Sequence, residues 1–166
     1  MTGSMVDWVR LGVGVGVAAT VTMDVLGAVA RRFGLAAGAK GIWVGRWYLG
    51  IARGRFVHSD IASAPKLAGE QRAALIGHYM IGIVLAVFYV VGAGSLGVSP
   101  GSFPAALGYG LATCIFPWLV VLPALGFGAF GRKGPQELRL FTATVLNHSF
   151  YGLGLWWSVK VLELAP

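Results

Sequence analysis

The chain has 166 residues, of which 57% are hydrophobic and 11% are charged, and its mean hydropathy is +0.75. An average soluble domain is about 25% charged, so this composition excludes a soluble monomer and indicates an integral membrane protein. The formal net charge is +7, but a nucleic-acid-binding domain needs a polar surface to carry its basic patch. We therefore expect no nucleic acid partner, and we expect the basic residues to meet the anionic headgroups of a lipid bilayer.

Four apolar stretches reach the length of about 20 residues that a helix needs to cross a bilayer. They cover approximately residues 11–30, 73–93, 103–127 and 140–159. We expect an all-α, four-helix transmembrane bundle that forms a single membrane domain over residues 1–166. The first stretch is not interpreted as a signal peptide, because its apolar core is too long and the basic pair Arg31 and Arg32 follows it.

The basic residues between these stretches predict the topology. The loop 31–72 contains eight Lys and Arg, the loop 95–102 contains none, and the third loop contains three. Basic residues near the ends of spans are retained on the cytoplasmic side. We therefore expect a multi-pass plasma-membrane protein whose loop 31–72 is cytoplasmic and whose two termini both face outward.

The first loop contains a pattern typical of a short amphipathic helix at the membrane interface. Trp43 and Trp47 lie four residues apart, and Arg46 and Arg53 lie seven apart. Such a helix lies flat at the headgroup level. Its simplest role is an anchor with snorkelling arginines. The alternative is a dedicated lipid-headgroup or phosphate site formed by Arg46, Arg53 and Arg55.

Several segments resemble those of one bacterial family. The segment 45–61 resembles the signature loop of the family called domain of unknown function 2938, and the likeness extends to Gly77-His78-Tyr79, Phe116-Pro117, Asn147-His148 and Gly152-Leu153-Gly154-Leu155. The members are small polytopic inner-membrane proteins. The resemblance thus implies a bacterial inner-membrane protein, and it brings no established catalytic residues.

Three ionisable residues within the predicted spans suggest a shared site. Asp24, His78 and His148 each lie on a face of small residues at four-residue spacing, and such faces are where membrane helices approach closely. Counted from the basic loops at about 1.5 Å per residue, all three fall in the cytoplasmic third of the membrane. We predict an intramembrane polar cluster of these residues, with Asn147 and Thr20 as further members.

Three functions are open for this cluster. First, it can lock the helices in register through hydrogen bonds. Second, it can be a protonatable relay or ion gate. Third, Asp24, His78 and His148 can hold a divalent metal ion, or the two histidines can ligate a haem. Tyr79, beside His78, is either a core residue or a phenol partner. No cofactor is the simplest expectation, because neither His-x-x-x-His nor Glu-x-x-His occurs.

The leading hypothesis is a small transporter-like or proton-relay protein that uses this cluster. Four spans enclose little room for a permeation path, so we expect a homo-oligomer or a membrane-protein partner. The first alternative is a structural or accessory subunit of a membrane complex, and the second is a metal- or haem-binding protein. Classical enzyme motifs are absent from the sequence, and His58 and Asp60 form only a loose acid–base pair. We leave enzymatic activity open and favour a non-enzymatic function.

Overall fold

Helices make up all the regular secondary structure in the computed structural model, which describes residues 4–35, 38–135 and 137–164. The predicted all-α class is therefore confirmed over these residues. The elements in chain order are α1 (Met5–Arg32), α2 (Gly41–Ile51), α3 (Glu70–Ser95), α4 (Phe103–Ala112), a π-helix (Pro117–Val121), α5 (Leu122–Ala124), a 3₁₀ helix (Ala129–Gly131) and α6 (Glu137–Leu164).

Three helical stretches of the described chain are long and apolar enough to cross a membrane. They are Met5–Arg32, Glu70–Ser95 and Phe103–Ala124, and they contain most of the first three predicted spans. α6 has 28 residues and includes the predicted span 140–159, but it is not one of the three. Its apolar sequence is interrupted by polar residues between positions 142 and 149.

The third of these stretches contains two prolines, Pro117 and Pro123, and its helix type changes there. α4 ends at Ala112, and a π-helix begins at Pro117. Proline has no backbone N–H, so Pro117 cannot donate to the carbonyl oxygen of Thr113 one turn earlier. The backbone N–H of Leu122 then donates to the oxygen of Pro117, which is the i to i+5 pattern of a π-helix. The third stretch therefore changes helix type at Pro117.

The chain divides into two compact units, and unit 1 consists of Met1–Val29, Tyr79–Ala112 and Asn147–Pro166. Its core contains Val15, Ala19, Ala86, Tyr89, Val90, Ala93, Ala106, Tyr151, Leu155 and Val159. Small residues bring its helices together: a Cβ atom added at Gly12 would lie 2.7 Å from the Cα atom of Val87. The equivalent atom at Gly154 would lie 2.7 Å from the Cα atom of Ala19. The faces of small residues seen in the sequence are thus helix-packing surfaces within this unit.

Unit 2 consists of Ala30–His78 and Thr113–Leu146. Its core contains Trp47, Ile61, Leu122, Ala124, Leu125, Phe127 and Leu140. α2 takes part in this core through Trp47, and it lies close to α3, because a Cβ atom at Gly45 would overlap the carbonyl oxygen of Glu70. The predicted helix in the first loop therefore exists, but its buried residues include Gly45, Arg46 and Trp47. Unit 2 also contains eleven of the 13 Lys and Arg residues.

Candidate functional site

In unit 1, a tyrosine hydroxyl is hydrogen-bonded to a carboxylate within the candidate spans. Tyr79 Oη donates to Asp24 Oδ2 at 3.2 Å. One turn before Asp24 in α1, the buried Thr20 donates its hydroxyl to the carbonyl oxygen of Gly16 at 2.7 Å. Thr20 is in close contact with α3, because a Cβ atom at Gly82 would overlap Thr20 Oγ1. The structure thus assigns Tyr79 the role of a phenol partner.

The other predicted members of the cluster are distributed over both units. Asn147 and His148 lie on α6 in unit 1 and are half-buried, as is Asp24. His78, also half-buried, is the last residue of its segment of unit 2. The association of Asp24, His78 and His148 stays a prediction.

Metal binding by three such residues finds no support in the structure. Over residues 4–35, 38–135 and 137–164, no three His, Cys, Asp or Glu side chains group in a way that could hold a metal ion. Asp24, His78 and His148 all lie in these ranges.

Three further tyrosines of unit 1 donate to backbone carbonyls instead of an ionisable group. Tyr151 Oη donates to Gly82 O at 2.6 Å, and Tyr109 Oη donates to Leu85 O at 2.8 Å. Tyr89 Oη donates to Pro100 O at 2.7 Å. A buried phenol needs a partner where water is absent, and a neutral carbonyl is sufficient. The carboxylate partner distinguishes Tyr79 from these three tyrosines.

In unit 2, Arg46 and Glu70 form a buried ion pair, with both residues 4% exposed. Arg46 Nε donates to Glu70 Oε1 at 2.6 Å, and Nη2 donates to Oε2 at 3.2 Å. Nη1 donates to the carbonyl oxygens of Ile61 and Ala64 at 2.7 and 2.8 Å. The hydrogen bonds to Glu70 raise the pKa of Arg46 above its usual value. This guanidinium therefore fastens α2 to the loop and to the start of α3.

These contacts correct the prediction of one headgroup site formed by Arg46, Arg53 and Arg55. Arg46 is directed into the protein because Glu70 and two carbonyls bind it there, whereas Arg53 and Arg55 are exposed. The predicted environment of Trp47 is also wrong. Trp47 is 9% exposed and donates its Nε1 hydrogen to Phe56 O at 2.8 Å, so it packs in the core of unit 2 instead of lying among headgroups.

Trp43 is half-buried on the same helix. Its ring packs edge-on against that of Phe127, with centroids 5.5 Å apart, and Lys40 Nζ lies 5.2 Å from the Trp43 ring centroid. The aromatic edge of α2 is thus shared between the core of unit 2 and a surface with a basic side chain.

The loop after α2 is held against residues 124–126 and lines an open polar cavity. The backbone N–H of His58 donates to Ala124 O at 2.8 Å, and that of Ile61 donates to Leu125 O at 3.0 Å. Gly126 adopts a φ of +91°, and a Cβ atom there would overlap the carbonyl of Ser59. The cavity has a volume of about 320 Å³ and is lined by Arg55, Val57, His58, Ser59, Asp60, Ser63 and Ala64.

His58 is the most unusual residue of this cavity. It is 7% exposed, and its Nδ1 atom has no hydrogen-bond partner among the described residues. Burial, followed by the positive charge of Arg55, lowers the pKa of His58 below its usual value. Asp60, which the sequence suggested as its loose acid–base partner, also lines the cavity, but Asp60 Oδ1 accepts the backbone N–H of Ala62 at 2.9 Å.

Sequence reasoning did not identify the serines of this cavity, Ser59 and Ser63. Ser63 Oγ donates to Asp60 O at 3.1 Å, and both serines resemble ordinary loop residues in the sequence. The contact of this loop with residues 124–126, which bond to the backbone of residues 58 and 61, has no signal in the local pattern of residues 55–64.

Comparison with family models identifies one match. The family described as "protein of unknown function (DUF2938)" matches residues 13–162, which is most of the chain. Comparison with curated proteins and with solved structures finds no match. The Asp24–Tyr79 pair, the Arg46–Glu70 pair and the cavity around His58 all lie within the matched residues. The chain therefore belongs to the DUF2938 family.

Proposed function

We propose that the protein is a proton-conducting or transporter-like membrane protein in which Asp24 and Tyr79 form a proton relay. The observation that supports this proposal is the hydrogen bond from Tyr79 Oη to Asp24 Oδ2, at 3.2 Å. It joins an ionisable carboxylate to a hydroxyl between two helices that are each apolar enough to cross a membrane. His78 and His148 are the proposed further members of the relay.

The energetic cost of a carboxylate in an apolar helix supports a functional role. Insertion scales give a cost of about 2.5 to 3.5 kcal/mol for an aspartate at the centre of a transmembrane helix. A neutral residue would hold the helices together without that cost, as the tyrosine-to-carbonyl bonds of the same unit do. Intramembrane acidic residues are typical of proton relays and ion pathways.

The proposed membrane arrangement has four spans, with α6 as the fourth, in a bacterial plasma membrane. Both termini face outward, and the basic loops face the cytoplasm. An oligomer provides the space for a permeation path that four helices alone do not enclose. The rival function, an accessory subunit that binds partners through glycine faces, is less well supported, because Gly12, Gly110 and Gly154 pack against other segments of unit 1.

Proton flux into proteoliposomes tests the relay. Purified protein is reconstituted with a pH-sensitive dye inside, and a potassium gradient with valinomycin imposes a membrane potential. We expect faster internal acidification than in protein-free vesicles. We expect Asp24→Asn to abolish the difference, and Tyr79→Phe to slow the flux.

Tyr109→Phe is the matched control. It removes the same hydroxyl from the same unit, but its partner is the carbonyl oxygen of Leu85 and not a carboxylate. We expect its flux to equal that of the unsubstituted protein. Wild-type flux no faster than in empty vesicles, or undiminished flux in Asp24→Asn, would refute the proposal.

A further inference from the structure

We infer that the cavity lined by Arg55, His58, Ser59 and Ser63 is a binding site for a phosphate group, carried either by a lipid headgroup or by a soluble phosphate. The inference is independent of proton movement at Asp24. It replaces the site expected at Arg46, Arg53 and Arg55 with one to which only Arg55 belongs.

The loop that lines the cavity is fixed by backbone contacts, which do not occupy the polar side chains of the lining. The backbone of residues 58 and 61 is bonded to residues 124 and 125. The carbonyls of residues 61 and 64 are bonded to the buried Arg46. A volume of about 320 Å³ corresponds to about ten water molecules at roughly 30 Å³ each, which is enough for a phosphate and its ester group.

His58 supplies the observation that points to a ligand. The side chain is more than nine-tenths buried, lines the cavity and leaves Nδ1 without a partner in the described chain. A buried polar atom without a hydrogen bond is energetically unfavourable, so an absent partner is expected. A neutral imidazole with its hydrogen on Nδ1 is a donor, and a phosphate oxygen is the acceptor it needs.

The remaining lining groups suit a phosphate. Arg55 presents a guanidinium, whose planar fork matches phosphate oxygens, and Ser59 and Ser63 add hydroxyl groups. Asp60 contributes the one carboxylate of the lining, and its Oδ1 accepts the N–H of Ala62. Opposite charges in one cavity match a phosphoethanolamine headgroup, in which a phosphate and an ammonium group lie close together.

Apolar side chains beside the cavity favour a lipid as the source of the phosphate. Phe56 is 62% exposed and Val57 is 67% exposed, and they lie between Arg55 and His58 in the sequence. An exposed apolar pair next to a polar cavity fits the boundary between headgroups and acyl chains.

NMR of the histidine side chains tests the site. The protein is labelled with ¹³C at histidine Cε1 and held in neutral detergent micelles at constant pH, and His58→Gln identifies the His58 signal. One titration uses inorganic phosphate, and a second uses micelles containing phosphatidylethanolamine, with diacylglycerol as the control lipid. We expect a saturable shift of the His58 signal, with affinity about tenfold weaker in Arg55→Gln, since a charge-assisted hydrogen bond is lost.

Arg53→Gln is the matched control. It removes the same charge from a side chain that lies two residues before Arg55 and does not line the cavity. A shift with phosphatidylethanolamine assigns the site to a lipid, and a shift with inorganic phosphate alone assigns it to a soluble phosphate. No shift in either titration, or equal weakening in Arg53→Gln and Arg55→Gln, would overturn the inference. Ser59→Ala provides a second weakening variant if Arg55→Gln does not fold.

Discussion

At the scale of single residues, Arg46 shows how this chain accommodates a buried charge. Every bond that the structure gives its guanidinium is made to Glu70, Ile61 or Ala64, which belong to the loop after α2 and to the start of α3. A buried charge without such partners would carry a desolvation cost of several kcal/mol. The ion pair therefore specifies one arrangement of α2, the loop and the start of α3.

Removing one partner of this pair should destabilise the protein strongly. We expect Arg46→Gln to lower the free energy of unfolding by about 3 to 5 kcal/mol, because Glu70 is left buried and unpaired. The double variant Arg46→Gln with Glu70→Gln should lose less than the sum of the two single losses. Unfolding in mixed micelles of increasing denaturing detergent, followed by tryptophan fluorescence, measures these differences.

Arg53→Gln is the control for this prediction, since Arg53 is an exposed arginine of the same loop. Its effect should stay within about 0.5 kcal/mol, as is usual for surface substitutions. A loss of similar size in Arg53→Gln and Arg46→Gln would show that the internal pair has no special role.

At the scale of helices, glycines set the distance between α4 and α6. A Cβ atom at Gly110 would lie 2.7 Å from Gly152 Cα and 2.8 Å from Gly152 N. These are backbone atoms, which cannot move aside as a side chain can. The two helices therefore approach closely only while residue 110 has no side chain.

We expect Gly110→Ala to destabilise the protein by about 1 to 3 kcal/mol, the usual cost of forcing an extra methyl group into a packed interface. Gly108→Ala is the matched control on the same helix, because its added Cβ atom would meet nothing within 4 Å. Alanine is favoured over glycine in a helix by about 1 kcal/mol, so this control should be neutral or stabilising. Thermal unfolding in detergent compares the two, and equal effects would refute the packing argument.

The sequence predicted the helices better than it predicted the environment of their side chains. Apolar length indicates four spans, and three of them match helical stretches that are long and apolar enough to cross a membrane. Apolar length is a property of the local sequence. The periodicity of α2 indicates a helix with an aromatic edge, but it cannot distinguish a lipid-facing edge from a protein-facing one, because both are apolar. Trp47 was assigned to the wrong environment for this reason.

The candidate sites were less predictable still, because they depend on residues that are distant in the sequence. Tyr79 lies 55 positions from Asp24, and Glu70 lies 24 positions from Arg46. A pattern of spacing within one helix contains no information on which residue of another helix meets it. The cavity around His58 requires residues 124–126 as well, and no local motif indicates that contact.

At the scale of the whole molecule, the charges are divided unevenly between the two units. Unit 2 contains eleven of the 13 Lys and Arg residues, and unit 1 contains Arg10 and Lys160. Basic segments are retained in the cytoplasm during membrane insertion. This distribution supports the proposed orientation with both termini outside.

Cysteine labelling tests this orientation. In a Cys114→Ala background, we expect Ser95→Cys and Pro166→Cys to react with a membrane-impermeant thiol reagent in intact cells, and Ser59→Cys to react only after the cells are opened. Labelling of Ser59→Cys alone in intact cells would reverse the orientation. Labelling of Ser95→Cys without Pro166→Cys would show that α6 does not cross the membrane.

The pairing of Arg46 with Glu70 also imposes an order on the folding of the chain during synthesis. Glu70 lies 24 residues after Arg46, so α2 leaves the ribosome before Glu70 does. During that interval the guanidinium has neither its carboxylate nor the carbonyls of residues 61 and 64, so burying it would cost more than leaving it in water. We expect Arg46 to stay in water until Glu70 arrives, so the burial of α2 in unit 2 depends on one acidic residue of the next helix.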